Sequence, residues 1–163
     1  MPTFVAQLVL AGTEQEVPRT RCAVVDQVRA WGVEVDDDLA DTIALVASEL
    51  VTNAVVHGRG PIRVGLHHRP GQLVIDVHDG NRDGPLVGVA GDDDEGGRGF
   101  ALVGMLAARS GWEPVAYGKH VWAEIALPRP APAIGATVMR RYFASRPSRE
   151  ARRAPRQLAV AGA

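Results

Sequence analysis

Two polar side chains that could support catalysis and metal binding stand four residues apart in an otherwise apolar segment, Glu49 and Asn53. If that segment is helical, both side chains lie on the same face of the helix. The carboxylate of Glu49 can accept a proton, and the amide oxygen of Asn53 can bind a hard cation such as Mg²⁺. The same pair is common on solvated helix edges, so its interpretation depends on the segments that follow.

Another acidic group stands at the end of an apolar, strand-like run, where Asp79 is followed directly by Gly80. A carboxylate in this position can accept a hydrogen bond from an exocyclic amine such as that of adenine. The alternative is a turn aspartate whose side chain caps its own backbone. Both interpretations stay open for Asp79 taken alone.

A short glycine-rich sequence, Gly97-Arg98-Gly99, leads through Phe100 into a further apolar segment. Glycines at the start of a helix let backbone amides approach a phosphate, and the helix N-terminus favours anions. Arg98 can add a charge-assisted contact. A flexible hinge would have the same composition. Three features follow one another along the chain: an acid and an amide on a helix, an acid at a strand end, and glycines at a helix start. This order indicates a nucleotide site.

Other nucleotide and catalytic motifs are absent from the sequence. A P-loop requires Gly-Lys followed by Ser or Thr, but Lys119 is the only lysine and precedes His120. No Gly-x-Gly-x-x-Gly motif opens the first helix, which argues against a dinucleotide fold. A catalytic triad based on Ser48 is not expected, because the context of a nucleophile elbow is missing.

Histidines and acidic residues also occur together, but their arrangement along the chain argues against a zinc site. His67 and His68 are adjacent, and adjacent residues of a strand point to opposite faces of a sheet. His78 and Asp79 are separated in the same way. Because no His-x-x-x-His motif or cysteine cluster exists, we expect no structural zinc site.

Apolar periodicity and turn residues divide the chain into strands and helices. The expected strands cover residues 4–10, 61–68, 72–79, 112–117 and 120–127, and the expected helices cover 18–31, 36–57 and 99–110. Residues 81–97 form a long loop, which within a compact domain is typically functional or disordered. The order β-α-α-β-β-loop-α-β-β predicts an α+β fold with two layers, in which the helices cover one face of a mixed, mostly antiparallel sheet.

Composition places the chain among ordinary globular proteins. Of its 163 residues, 46% are apolar and 23% are charged. Cys22 is the only cysteine, so no intrachain disulfide can form, which fits a reducing compartment. Because Cys22 falls within an expected amphipathic helix, we expect its side chain to be packed against the core. The N-terminus has no basic signal-peptide region, and no apolar run approaches the length of a membrane span. We therefore expect a cytoplasmic protein without a membrane partner.

Charge is distributed unevenly between two parts of the chain. Residues 128–163 hold eight arginines and one glutamate, a net charge of +7, whereas residues 1–127 hold ten basic and 18 acidic residues, a net charge of −8. We expect a folded domain at 1–127 and a Pro/Arg-rich, largely disordered tail at 128–163. An acidic partner, the protein's own body or nucleic acid could bind the tail, although direct nucleic-acid binding is not the favoured interpretation.

In order along the chain, residues 4–127 resemble the GHKL superfamily of ATP-binding proteins, which includes gyrase, histidine kinases and mismatch-repair ATPases. A nearer likeness is to small bacterial anti-sigma-factor serine/threonine kinases. The most specific segment is 47–58, Ala-Ser-Glu-Leu-Val-Thr-Asn-Ala-Val-Val-His-Gly, which resembles the N box of the family. The resemblance implies a Bergerat-type sandwich that binds ATP and Mg²⁺.

The resemblance also implies a role for each candidate residue. Glu49 matches the catalytic base, Asn53 the Mg²⁺ ligand and Asp79 the acid that reads adenine. Residues 81–96 take the place of the ATP lid. The residues expected to bind the cofactor are Asn53, Asp79, Gly80, Gly97, Arg98, Gly99 and Phe100.

The implied function is that of an anti-sigma-factor kinase, which phosphorylates a small antagonist protein on serine or threonine and sequesters a sigma factor. The resemblance also implies a homodimer. Two departures from the family pattern leave an alternative open. The glycines after Asp79 are spaced differently, and Lys119-His120 stands where a threonine often helps to hold adenine. The alternative is a non-catalytic protein-binding module that responds to ATP or binds no nucleotide.

Overall fold

The computed structural model describes residues 4–85 and 98–129, with Phe4 described by its backbone alone. The elements, numbered in chain order, are β1 Phe4–Leu10, α1 Glu16–Ala30, α2 Asp37–His57, β2 Ile62–Arg69, β3 Gln72–Asp79, α3 Arg98–Leu106, β4 Arg109–Val115 and β5 Gly118–Ala126. This order confirms the expected α+β arrangement.

The strands form one five-stranded sheet in the order β1-β2-β3-β5-β4. All four strand pairs are antiparallel, so within the described residues the sheet has no parallel pair. The last strand of the sequence, β5, lies between β3 and β4. The predicted fold class is confirmed, with helices on one face of an antiparallel sheet.

One face of the sheet forms the core with the helices. Alternate residues of a strand point to the same face, and the buried positions of the central strands are Ile62, Val64, Leu66, Leu73, Ile75, Val77, Val121, Ala123 and Ile125. Helix α2 buries six residues that form an apolar stripe along one face, Ile43, Val46, Ala47, Leu50, Val51 and Ala54. Full burial of each larger side chain contributes roughly 1.5–3 kcal/mol, so the core fixes α2 and the polar edge that it carries.

Acidic side chains determine where the first two helices begin. The Asp36 carboxylate accepts a hydrogen bond from the backbone N–H of Leu39 at 2.8 Å, which caps α2 as its acidic start predicts. Glu16 accepts hydrogen bonds from the backbone N–H groups of Ala11, Gly12 and Thr13. These donors favour the ionised form and lower the pKa of Glu16.

Helix α3 ends earlier, and β4 begins earlier, than the sequence predicts. The apolar periodicity continues to Ser110, but the helix stops at Leu106. The backbone N–H of Ala108 donates to the carbonyl of Glu124 at 2.8 Å. Pairing with β5 therefore replaces the last predicted turn of the helix, a tertiary interaction that local periodicity does not reveal.

A further sequence expectation, that Cys22 is packed, is wrong. Cys22 is exposed, because the buried face of α1 is formed by Thr20, Val24, Val25 and Val28. Within the described residues one helix, α2, is long and apolar enough to cross a membrane by length and composition alone. Core helices of soluble proteins pass the same test, and α2 packs its apolar stripe into the core.

The folded part described by the structure extends to Leu127, which is buried and whose N–H donates to the carbonyl of Gly71 at 3.0 Å. The expected division into a domain at 1–127 and a tail at 128–163 stays a prediction, because residues 130–163 lie outside the described part of the chain.

Candidate functional site

The polar edge of α2 carries the first two candidate residues. Glu49 and Asn53 are both half-buried and lie one turn apart, and His57 continues the same edge to the end of the helix. With a rise of 1.5 Å per residue, this edge extends over about 12 Å from Glu49 to His57. The α2 edge is thus long enough to contact separate parts of one ligand.

The carboxylate of Glu49 lies against the first turn of α3. A methyl group built on Gly99 would overlap the Glu49 Oε2 atom, so a larger residue at position 99 would displace the carboxylate. A groove of about 580 Å³ opens at this contact and is lined by Glu49, Arg98, Gly99, Ala101, Leu102 and Met105. The amides of the α3 N-terminus and exposed Arg98 provide positive potential on one side of the groove.

Two buried oxygen atoms on α2 have no hydrogen-bond partner among the residues that the structure describes. They are the Oδ1 atom of Asn53 and the hydroxyl oxygen of Ser48. Leaving a buried acceptor unsatisfied costs about 1–3 kcal/mol, and a ligand or ion can satisfy it. A neutral amide oxygen is a suitable ligand for Mg²⁺, so the donor set at Asn53 fits this ion. Sequence reasoning missed Ser48 because a serine inside a helix normally gives no such signal.

Asp79 is buried, with a relative exposure of 5%, and forms an ion pair with fully buried Lys119. The Lys119 ammonium lies 3.0 Å from Oδ2 and donates to Oδ1 at 3.2 Å. Within the described residues Oδ2 receives no hydrogen bond, so its contact with the ammonium is electrostatic. The sequence did not reveal this partner, which stands directly opposite Asp79 in the β3–β5 register.

Hydrogen bonds of Asn81 hold the end of β3 against the end of α2. Asn81 donates from its backbone N–H to Asp79 Oδ1 at 2.8 Å and from its side chain to the carbonyl of His57 at 2.6 Å. Gly118 has a φ of 151°, and a side chain there would overlap the carbonyl of Asp79. Asn81 is a second residue that sequence reasoning missed, and it connects Asp79 to the helix that carries Glu49 and Asn53.

The remaining candidate residues have different surroundings. The N–H of Gly80 donates to the carbonyl of Arg59 at 2.7 Å, so Gly80 has a partner within the chain. Phe100 is half-buried and packs against the hydrophobic core. Gly97 and residues 86–96 of the expected lid lie outside the described residues. The structure thus brings Glu49 and Gly99 together, with Asn53 one turn further along α2 and Asp79 at the end of the same helix.

Comparison with known proteins identifies the family of the chain. The family of histidine kinase-like ATPase domains matches residues 13–125. The chain belongs to this family. Membership confirms the GHKL resemblance predicted from the sequence and implies an ATP-binding fold. No curated protein matches the chain.

A solved structure with the same fold contains the RsbU and RsbW domains of Rv1364c from Mycobacterium tuberculosis. It superposes on this histidine kinase-like ATPase domain with a TM-score of 0.57 and 21% sequence identity. The match covers 80% of this chain and 34% of the Mycobacterium chain. At this identity the likeness shows the fold, and the activity of the larger protein does not transfer with it.

Proposed function

We propose that this histidine kinase-like ATPase domain is a serine/threonine kinase of the anti-sigma-factor type. The observation that carries the proposal is the unsatisfied Oδ1 atom of Asn53, one helical turn from a carboxylate that lies against the start of α3. This arrangement offers a proton acceptor and a phosphate-binding helix terminus at one groove, with a metal ligand one helical turn further along α2. Family membership supports ATP as the nucleotide.

In the proposed reaction, Asn53 holds Mg²⁺, which neutralises charge on the phosphates when bound. Arg98 and the α3 amides contact the phosphate oxygens. Glu49 accepts the proton of a serine or threonine hydroxyl on the antagonist protein. The hydroxyl oxygen bonds to the γ-phosphorus of ATP while the bond between that phosphorus and the ADP oxygen breaks. The phosphoryl group moves to the antagonist protein, and ADP leaves.

The partners in this proposal are a small antagonist protein, which accepts the phosphoryl group, and a sigma factor, which the kinase sequesters in the cytoplasm. The name of the RsbW domain in the structural neighbour supports this class of partner. A homodimer is part of the same proposal. The division of the chain into a domain at 1–127 and a basic tail at 128–163 leaves the site within the first part.

Calorimetric titration with Mg·ATP is the first test of the site. We expect binding to require Mg²⁺ and to be lost in Asn53→Ala. Thr52→Ala, an exposed position on the same helix, is the matched control and should bind as the unmodified protein does. No binding of Mg·ATP, or equal binding by Asn53→Ala, would contradict the proposed nucleotide site.

Phosphoryl transfer is the second test. With γ-labelled ATP and the antagonist proteins encoded in the same genome, we expect a labelled serine or threonine on one of them. Glu49→Gln should retain Mg·ATP binding and lose the transfer, because the amide cannot accept the proton. Transfer at an unchanged rate in Glu49→Gln would rule out the assigned role of this residue.

The Asp79–Lys119 ion pair favours a second candidate function, a regulatory binding module without phosphoryl transfer. In the described structure the ammonium supplies the donors that an adenine amine would supply to Asp79. Such a module would fail to label any antagonist while still binding its regulatory partner. Absence of Mg·ATP binding together with intact partner binding would favour this function over the kinase.

A further inference from the structure

The sheet face turned away from the helices carries a cluster of histidines around one carboxylate. Residues 76 and 78 alternate with the core residues of β3, so Asp76 and His78 point to this outer face. His120 stands directly opposite His78 in β5, and His67 lies on the neighbouring strand β2. Sequence reasoning considered only neighbours along one strand and therefore did not bring these residues together.

The atoms of this cluster lie close enough to share one ion. The Oδ1 atom of Asp76 is 3.3 Å from Nε2 of His78 and 4.0 Å from Nε2 of His120. One ligand atom from each of the three residues lies within 4.8 Å of the others. Tetrahedral zinc with bonds of about 2.0 Å separates its ligand atoms by about 3.3 Å. Each pair of ligand atoms in the cluster therefore needs to approach by less than about 2 Å to bind one ion.

Two further side chains orient the ligand atoms. Nδ1 of His120 lies 3.2 Å from the Glu113 carboxylate, which favours the tautomer with hydrogen on Nδ1 and leaves Nε2 free to bind a metal. Nε2 of His67 lies 2.8 Å from Oδ2 of Asp76, which turns Oδ1 towards the other two histidines. Outer partners of this kind fix the direction of metal ligands and raise their basicity.

The backbone beneath the cluster makes room for the carboxylate. Gly65 stands directly opposite Asp76 in β2, and a methyl group on Gly65 would lie 2.6–2.8 Å from the Asp76 carboxylate atoms. Glycine at this position therefore lets the carboxylate lie over β2. His78 and His120 stack with their ring centroids 4.3 Å apart, and the half-exposed ring of His78 can rotate to direct its nitrogen at an ion.

We propose that Asp76, His78 and His120 bind a divalent transition-metal ion of the zinc type on the outer face of the sheet. Two imidazole nitrogens and one carboxylate oxygen suit Zn²⁺, whereas Mg²⁺ prefers oxygen ligands alone. Glu113 and His67 are the positioning residues. Three protein ligands leave one coordination position open to the solvent. The site lies on the opposite face from Glu49 and Asn53 and does not depend on the proposed kinase activity.

Zinc titration of the untagged, metal-free, full-length protein tests the proposal. Calorimetry should give one Zn²⁺ per chain, and an excess of Mg²⁺ should not displace it. We expect Glu113→Gln to weaken zinc binding by about 10- to 100-fold, and His78→Gln and His120→Gln to weaken it at least as much. His57→Gln, which removes a histidine from α2, is the matched control and should leave the affinity unchanged.

Substitution with Co²⁺ distinguishes loss of a ligand from loss of the fold. The cobalt protein should show visible absorption bands of nitrogen-ligated metal, and His78→Gln and His120→Gln should lose them while circular dichroism stays unchanged. Absence of zinc binding would overturn the proposal. So would unchanged affinity in both ligand variants, or an equal loss of affinity in His57→Gln.

Discussion

The buried ion pair between Asp79 and Lys119 makes a quantitative prediction about stability. Both side chains have no exposed surface, and besides the ammonium the carboxylate receives the N–H of Asn81. In Lys119→Met a carboxylate remains buried with that backbone donor as its remaining hydrogen-bond partner among the described residues. Removing one partner of a buried pair costs about 3–5 kcal/mol, so we expect Lys119→Met to lower the free energy of unfolding by this amount.

The converse substitution should show that the loss comes from an unpaired charge. Asp79→Asn leaves the ammonium buried opposite a neutral amide, and we expect a similar cost of about 3–5 kcal/mol. The double variant removes both charges and should be no less stable than either single variant. This non-additivity is the expected sign of direct coupling between residues in contact.

Urea unfolding followed by tryptophan fluorescence measures these differences, provided that the m-value stays constant among variants. Arg63→Met, at an exposed position of β2, is the control and should change stability by about 0.5 kcal/mol or less. A cost below about 1 kcal/mol for Lys119→Met, the range of exposed ion pairs, would refute the buried pair. Additive costs in the double variant would refute the direct coupling.

Three other substitutions test the surroundings of the site. Asn53→Ala breaks no hydrogen bond of Oδ1 among the described residues, so without Mg²⁺ it should lower the free energy of unfolding by less than about 1 kcal/mol, and a larger loss would contradict an unsatisfied Oδ1. Gly99→Ala places a methyl group against Glu49 and should weaken Mg·ATP binding measured by calorimetry, whereas Gly104→Ala, at an open position of α3, should not. Glu16→Gln should destabilise the protein at neutral pH. Because the pKa of Glu16 is lowered in the folded state, the stabilisation by its carboxylate is present above the ordinary glutamate pKa of about 4.3 and disappears as the pH falls through the folded pKa. An equal difference in free energy of unfolding between variant and unmodified protein at pH 7 and at pH 3 would contradict this.

Local patterns in the sequence predicted the parts of the site that lie on one element. The spacing of Glu49 and Asn53 placed both on one edge of α2, because helical periodicity requires no knowledge of other segments. The apolar stripe of the same helix indicated its buried face. The fold class followed from the order of elements, since antiparallel hairpins with intervening helices admit few arrangements.

Contacts between distant segments were not predictable in the same way. The partner of Asp79 is Lys119, 40 residues later, and the pairing depends on the register of β3 and β5. The convergence of His78 and His120 depends on that same register. Local periodicity assigns each residue to a face of its strand, but it does not say which strand becomes its neighbour or with which offset.

The position of β5 between β3 and β4 has a consequence for synthesis of the chain. Strands β1, β2 and β3 can pair in order as they emerge from the ribosome, but the edge of β3 has no native partner until residues up to Ala126 have been made. Until then Asp79 lacks Lys119, and β4 has no strand on which to form. Folding of the proposed nucleotide site therefore waits until β5 has been made, and the exposed edge of β3 is where a nascent chain is open to aggregation or to a chaperone.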